Sequence, residues 1–467
     1  MTQDVRGARE EVATAVGQPL PDAGPSVLHD CADAEAYVAS ICFKHGPPRL
    51  TGVELEWLLH STAAPDAPVD AVALAAALGP HTPTTLDPAS PALPLPAGSS
   101  ITVEPGGQAE LASAPLPGLA ELLTAVRTDT AALHSLLAAQ GLSPHPRAAD
   151  TMRPPTRLLQ SPRYRAMEQS FDRRGPHGRT AMCSTAAVQV CVDAGEGPDV
   201  GRRWAALHAL GPVLLAAFAN SPVVHGRRTG WKSSRWAAWS ACDPVRTAPP
   251  LDVDPDVHPG GAWARRVLSS PVLCVRGEGA WAVPHRVTFA EWVDGALPTR
   301  PTTADLDYHI STLFPPVRAH GHLEVRYVDG QRGDDWALPT AIITALLSRS
   351  EVTDRVLELC EPARGRWMSG ARHGLADRVL ARAAAGVFTL ACDQLGAVGA
   401  PGWVSDALVE MTERRVLRGC CPADDHLPGD HPPGGHPPGD RPIGGRPIVT
   451  ERIDPTVSMS CPEGETV

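Results

Sequence analysis

Apolar and polar side chains alternate through Gly52-Val53-Glu54-Leu55-Glu56-Trp57, the period-two signature of a half-buried strand. On such a strand Val53, Leu55 and Trp57 share one face and Glu54 and Glu56 the other, the two carboxylates roughly 6.6 Å apart along the chain. The alternation returns in Ile101-Thr102-Val103-Glu104, and after the Pro105-Gly106-Gly107 turn Gln108 and Glu110 again share a face. In His322-Leu323-Glu324-Val325-Arg326-Tyr327 the polar side carries Glu324 and Arg326. A further alternating run, Ala187-Val188-Gln189-Val190-Cys191-Val192-Asp193, carries Gln189, Cys191 and Asp193 there. The pattern predicts an α+β fold in which an antiparallel sheet has helices on its apolar back and an open front lined by carboxylates.

Helical spacing marks residues 33–43, 69–78, 119–141, 203–219, 338–347, 352–359, 375–395 and 404–417, with a break or kink expected at Gly211-Pro212. Residues 143–181 read as irregular and basic, and one or two of Arg153, Arg157, Arg163, Arg165, Arg173, Arg174 and Arg179 are expected to reach an anionic ligand. Residues 226–247 and 244–262 read as loops, and 281–292 as a short strand and turn. In the first of these loops Arg227, Arg228, Lys232 and Arg235 interleave with Trp231, Trp236 and Trp239. After position 419 the composition changes to a five-residue repeat such as His431-Pro432-Pro433-Gly434-Gly435. Such Pro/Gly density cannot build a core. One domain over 1–419 and a disordered tail over 420–467 are therefore expected.

The 467 residues, 43% hydrophobic, suffice for a large core. A net charge of −11 argues against a nucleic-acid partner, which requires a basic field, so the Trp-lined basic loop reads as a pocket wall for a charged metabolite. Paired acids on one strand face repel each other, and a cation relieves the repulsion. Mg²⁺, a hard ion that takes oxygen ligands and commonly accompanies nucleotide phosphates, is the expected cofactor. Eleven scattered cysteines without C-x-x-C spacing suit reduced thiols in a cytoplasmic protein. The charged N-terminus lacks the apolar run of a signal region, and no stretch approaches the ~20 apolar residues of a membrane span.

Six motifs in order carry a family resemblance: Gly-Val-Glu-Leu-Glu at 52–56, Glu-Pro-Gly-Gly-Gln-Ala-Glu at 104–110, Ala-Ala-Val-Gln-Val at 186–190, Phe-Ala-Asn-Ser-Pro at 218–222, Trp-Ser-Ala-Cys-Asp-Pro-Val-Arg-Thr at 239–247 and Leu-Glu-Val-Arg at 323–326. The chain resembles the glutamate-cysteine ligase family, in its plant and bacterial branch, and within that the actinobacterial enzymes that feed ergothioneine synthesis. The resemblance implies a glutamine-synthetase-like core whose curved antiparallel sheet binds ATP, Mg²⁺, L-glutamate and L-cysteine. It places Glu54, Glu56, Glu104, Glu110 and Glu324 on metal-binding positions and Arg235 on the amino-acid carboxylate. Gln108 and Gln189 fall on the substrate side, and Arg326, with Glu324, at the phosphate as the catalytic pair. Ser184 stands where the plant branch has arginine and Cys191 where it has asparagine, so the cysteine subsite is the part that transfers least.

The implied reaction is attack of the glutamate γ-carboxylate on the ATP γ-phosphate, then displacement of phosphate by the cysteine amine. Phosphoryl transfer depends on positioning and charge neutralisation, so Cys183 and Cys191 are not needed as nucleophiles. Three other readings use the same residues: a ligase for a different amine, a carboxylate-pair hydrolase, and a catalytically silent binding protein.

Overall fold

The computed structural model describes residues 24–425 except His285. The Pro/Gly repeat of the expected tail lies outside the described residues. The central sheet is built from β1 (Thr51–Trp57), β2 (Ser100–Val103), β3 (Ala109–Ala112), β4 (Ala187–Val192), β5 (Val317–Ala319) and β6 (Leu323–Asp329). Their spatial order is β2-β3-β1-β4-β6-β5, and every pairing is antiparallel. The four alternating runs thus lie in one sheet, as expected. Val53, Leu55, Val188, Val190, Leu323 and Val325 are buried in a single apolar core with Leu122, Val126 and Leu133 of helix α1 (Leu119–Ala139).

The register fixes the front. Glu56 lies opposite Glu110, and Glu110 opposite Thr102. Glu54 lies opposite Gln189, and Glu324 opposite both Cys191 and Arg318. Directly opposed residues project to the same side, so polar residues scattered over more than 200 positions of sequence meet on one surface.

Several expected loops are helical. Residues 143–181 contain α2 (Pro162–Asp172) and α3 (His177–Cys183). Only Ala166, Met167 and Phe171 of α2 are buried, too short an apolar stripe to stand out among arginines. The Trp-rich stretch contains α5 (Ser234–Cys242), which follows α4 (Asp199–Ala217); its N-cap Ser233 accepts a hydrogen bond from the Trp236 N–H. Residues 281–292 lead into a helix, Phe289–Val293, started by a Thr288/Glu291 capping box, and residues 244–262 include the helical Pro244–Thr247 and the start of Gly260–Ser269. The stretch 375–395 divides into a 3-10 turn, Gly374–Ala376, and a helix, Arg378–Gln394, capped by Asp377.

Helix α4 runs unbroken through Gly211 and Pro212. Burial on nearly all sides offsets the hydrogen bond that proline removes. A Cβ on Gly211 would stand 1.8 Å from the Trp367 ring, so that glycine marks a close packing contact and not a helix end.

The boundary expected after 419 lies further on. Cys421 is fully buried, and Pro422–Asp424 form a 3-10 turn. The buried Arg147 donates to the carbonyls of Pro422 (2.9 Å) and Asp425 (2.5 Å). Lys232 pairs with Asp424, and Arg415 grips Asp425 through two bonds of 2.9 and 2.8 Å. Charged residues at 424 and 425, which read as a solvated tail, are instead ion-pair anchors. Among the described residues no helix is long and apolar enough to cross a membrane.

Candidate active site

The front of the sheet opens into a cavity of about 290 Å³. Glu54 and Glu56 from β1, Glu110 from β3 and Gln189 from β4 form its floor, and Glu104 and Gln108 enter from the β2–β3 turn. That turn is pressed against the end of α3: a Cβ on Gly106 would meet the Cys183 backbone at 2.2 Å, so only glycine lets the turn sit there. Gln108 is locked by donating to the carbonyls of Thr185 (2.9 Å) and Met182 (3.3 Å), which leaves its own buried carbonyl oxygen without a partner. Arg318, Arg326 and Arg163 face the acids, and Tyr164, Trp239 and Phe314 complete the wall.

Glu56 accepts hydrogen bonds from the Ala187 N–H (2.9 Å) and the Gln189 amide (2.8 Å). Thr102 donates to Glu110 at 2.5 Å. Arg326 donates to both Gln189 and Glu324. Arg318 grips Glu324 with two bonds of 2.6 and 3.0 Å. Glu324 is thus enclosed by two guanidinium groups and does not line the cavity.

The acids differ in charge state accordingly. Burial, then the neighbouring Glu324 and Glu110 charges, pushes Glu54 up to about 8. Burial and Glu56 push Glu110 up to about 7, and burial with Glu110 and Glu56 raises Glu104 well above the usual carboxylate range. Glu56 is raised by burial although Arg235 and Arg326 pull the other way. For Glu324 burial opposes the charge, yet Arg318 and Arg326 outweigh it and hold the carboxyl down at about 2. Four acids therefore crowd one cavity with too little positive charge to balance them, a donor set of carboxylate oxygens that fits a hard divalent cation. Among the described residues no three His, Cys, Asp or Glu side chains already converge as a ligand set.

Arg235 sits one step away, in a narrow cavity that shares Trp239, Phe314 and Arg326 with the first. It stands on α5, not on a loop, and is buried. Its Nη2 donates to the Arg326 carbonyl at 2.8 Å, whereas among the described residues Nε and Nη1 are buried without hydrogen-bond partners, Nη1 lying 3.7 Å from the Asp329 carboxylate. Trp239 donates to Thr185 at 3.2 Å and faces the site. Trp236 stacks on Trp367 instead, and Trp231 lies under Arg372. Of the arginines in 143–181, Arg163 reaches the cavity; Arg153, Arg157 and Arg179 pair with Asp150, Glu168 and Asp172. Burial pushes the Cys183 thiol up to about 12 and Cys191 well above the ordinary thiol range, so neither is poised as a nucleophile.

Sequence reasoning passed over Arg318. Its signal was the Val317-Arg318-Ala319 alternation ahead of the His320-Gly321-His322 turn, which reads as the partner strand of Leu323-Glu324-Val325. It also passed over Asp329, which the alternation of its own strand assigns to the apolar side.

Comparison with known proteins identifies the family. The family described as glutamate-cysteine ligase family 2 matches residues 50–431. Glutamate–cysteine ligase EgtA of Mycobacterium tuberculosis is 37% identical over 422 residues, covering 88% of this chain and 94% of its own length. The protein of the same name in Mycolicibacterium smegmatis is 40% identical over 337 residues, covering 71% of this chain and 78% of its own. The chloroplastic glutamate–cysteine ligase of Brassica juncea is 30% identical over 295 residues, covering 60% and 55%. With the family match spanning most of the chain and relatives 37% and 40% identical over most of their own length, the chain belongs to glutamate-cysteine ligase family 2 and is a glutamate–cysteine ligase.

Proposed function

We propose that the cavity joins the γ-carboxylate of L-glutamate to the amine of L-cysteine in two steps at the expense of ATP. A glutamate γ-oxygen attacks the γ-phosphorus and the bond to ADP breaks, giving γ-glutamyl phosphate. The cysteine amine then attacks the acyl carbon, loses a proton and expels inorganic phosphate, leaving γ-glutamylcysteine. The observation that carries this reading is the imbalance at the site: Glu54, Glu56, Glu104 and Glu110 are under-compensated, whereas a carboxylate-to-phosphate transfer requires that its own negative charge be balanced.

Glu54, Glu56, Glu104 and Glu110 would hold Mg²⁺, which when bound neutralises the phosphate oxygens; Glu324 would join them only by releasing Arg318. Arg326, fixed by Gln189 and Glu324, addresses the transferring phosphoryl group. Arg235, two of whose nitrogens lack hydrogen-bond partners among the described residues, receives the glutamate α-carboxylate, and Gln189 and the carbonyl oxygen of Gln108 orient the substrates. In this reading the sheet is a glutamine-synthetase-like core in a cytoplasmic enzyme, and the dipeptide supplies ergothioneine synthesis, as the family resemblance implies.

The test is mass detection of γ-glutamylcysteine from glutamate, cysteine and Mg-ATP, with ADP measured in parallel against a panel of amines. One dipeptide per ADP, lost on chelation and restored by Mg²⁺, is expected. Faster ADP release with another amine would reassign the acceptor, and turnover without nucleotide would overturn the ligase mechanism.

A further inference from the structure

Strand β6 gains one residue against β4: Val325 lies opposite Val190, but Val328 lies opposite Val188. Strict alternation from Glu324 would send Asp329 to the apolar back. The extra residue returns it to the front, opposite Ala187. There it is wholly buried. One carboxylate oxygen accepts from the Asn220 N–H (2.9 Å) and the Ser221 hydroxyl (2.8 Å). The other accepts from the Ser233 hydroxyl (2.8 Å) and lies 3.7 Å from Arg235 Nη1.

Arg235 needs such an anchor. It is buried beside a like charge, Arg326, and its side chain is tied to protein by a single hydrogen bond, to the Arg326 carbonyl. A buried carboxylate, itself immobilised by three donors from two other segments, supplies both a balancing charge and a fixed direction. The bulge in β6 therefore sets the aim of a guanidinium on α5. Arg326 lies on the same stretch of β6, so one backbone segment adjusts the phosphate-facing and carboxylate-facing cations together.

We propose that Asp329 is the positioning residue of the glutamate subsite: it orients the Arg235 guanidinium toward the substrate α-carboxylate. The proposal rests on the reading of Arg235 given above. Asp329→Asn removes the charge at nearly constant shape. The Michaelis constant for glutamate is expected to rise roughly 10- to 100-fold, as for removing the charge of one partner in a close buried charge pair. The ATP and cysteine values should stay within about threefold, the order of ordinary context-dependent scatter. Thermal stabilisation by glutamate should weaken while that by Mg-ATP persists. Asp329→Glu keeps the charge but shifts it by one methylene, and a smaller rise in the same constant is expected; it also serves if Asp329→Asn does not fold. An unchanged glutamate constant in the folded variant, or a parallel loss of all three substrates with a fall in melting temperature, overturns the proposal in favour of a purely structural knot. Arg235→Lys separates the two levels. If it leaves the glutamate constant unchanged, the subsite reading itself fails; if it raises that constant and the Asp329 variants do not, only the positioning role fails.

Discussion

Glu54 and Glu56 are held in a cavity that disfavours their charge, so the residues proposed to hold Mg²⁺ are a burden on the protein without its ligands. Glu54→Gln or Glu56→Gln is expected to abolish ligation while leaving the thermal midpoint of the unliganded enzyme unchanged or higher. Turnover and melting measured on the same preparation decide it, and near-normal activity at saturating Mg²⁺ would remove these acids from the metal site. Arg326 belongs to a different class, since it already has partners in Glu324 and Gln189 and in the proposed mechanism is preorganised for charge that shifts during transfer. Arg326→Ala should lower turnover by about 10²- to 10³-fold, with much smaller changes in the Michaelis constants, the pattern of an interaction made in the transition state. Lysine should restore part of the loss, because it brings charge without the planar fork. Weakened ATP binding with turnover preserved would make Arg326 a ground-state anchor instead.

At the scale of elements, the packing depends on glycines that allow two segments to touch. Helix propensity favours Ala over Gly by about 1 kcal/mol, yet Gly211→Ala would drive a methyl into the Trp367 ring. Overpacking of that kind costs about 1–3 kcal/mol, so a net fall in melting temperature is expected. A rise would show that Trp367 moves aside freely. Residues 421–425 form the other element whose role differs from its composition. Truncation after Asp425 should leave activity and melting unchanged, whereas truncation after Cys420 removes the Pro422 and Asp425 carbonyls that Arg147 bonds in addition to Asn220, together with the acids paired with Lys232 and Arg415, and should destabilise the enzyme. Equal behaviour of the two truncations would show that the anchors contribute nothing.

For the whole molecule, two sets of buried groups oppose each other in pH. His145, His208 and His309 are lowered by burial, to about 3, 4 and 3. Unfolding lets them take up protons below about pH 6.5, so their contribution to stability is lost as pH falls through that value. Glu54 and Glu110 are raised, to about 8 and 7. The folded state then holds protons that the unfolded chain has released, and stability falls as pH rises toward 8. Without divalent cations the melting temperature should therefore peak near pH 6 and decline by pH 8. Saturating Mg²⁺ should remove the alkaline decline, because a bound cation stabilises the ionised carboxylates. An alkaline decline of equal size with and without Mg²⁺ would count against the four acids as its ligands.

The apolar and polar alternation of β1, β3, β4 and β6 determined the antiparallel sheet and the front on which Glu54, Glu56, Glu110, Gln189, Glu324 and Arg326 project, because a period of two is a local property of the strand. The Glu104-to-Glu110 turn was legible for the same reason, through Pro105, Gly106 and Gly107. Tertiary structure decided what depends on partners distant in the chain. Register with β5 brought Arg318 to Glu324, so that an expected metal ligand stands at the centre of an ion-pair triad with Arg318 and Arg326. An extra residue in β6, visible only against β4, moved Asp329 to the side of Arg235. Helices α2 and α5 have short apolar faces that neither propensity nor periodicity marks, and they form because segments distant in the chain supply the surface they cover: Ala166, Met167 and Phe171 of α2 pack with Met182, Cys183, Leu273 and Cys274, and Trp236 of α5 joins the central core. A sequence carries its own periodicity, but charge compensation and strand register belong to pairs of segments, and those pairs exist only once the chain has folded.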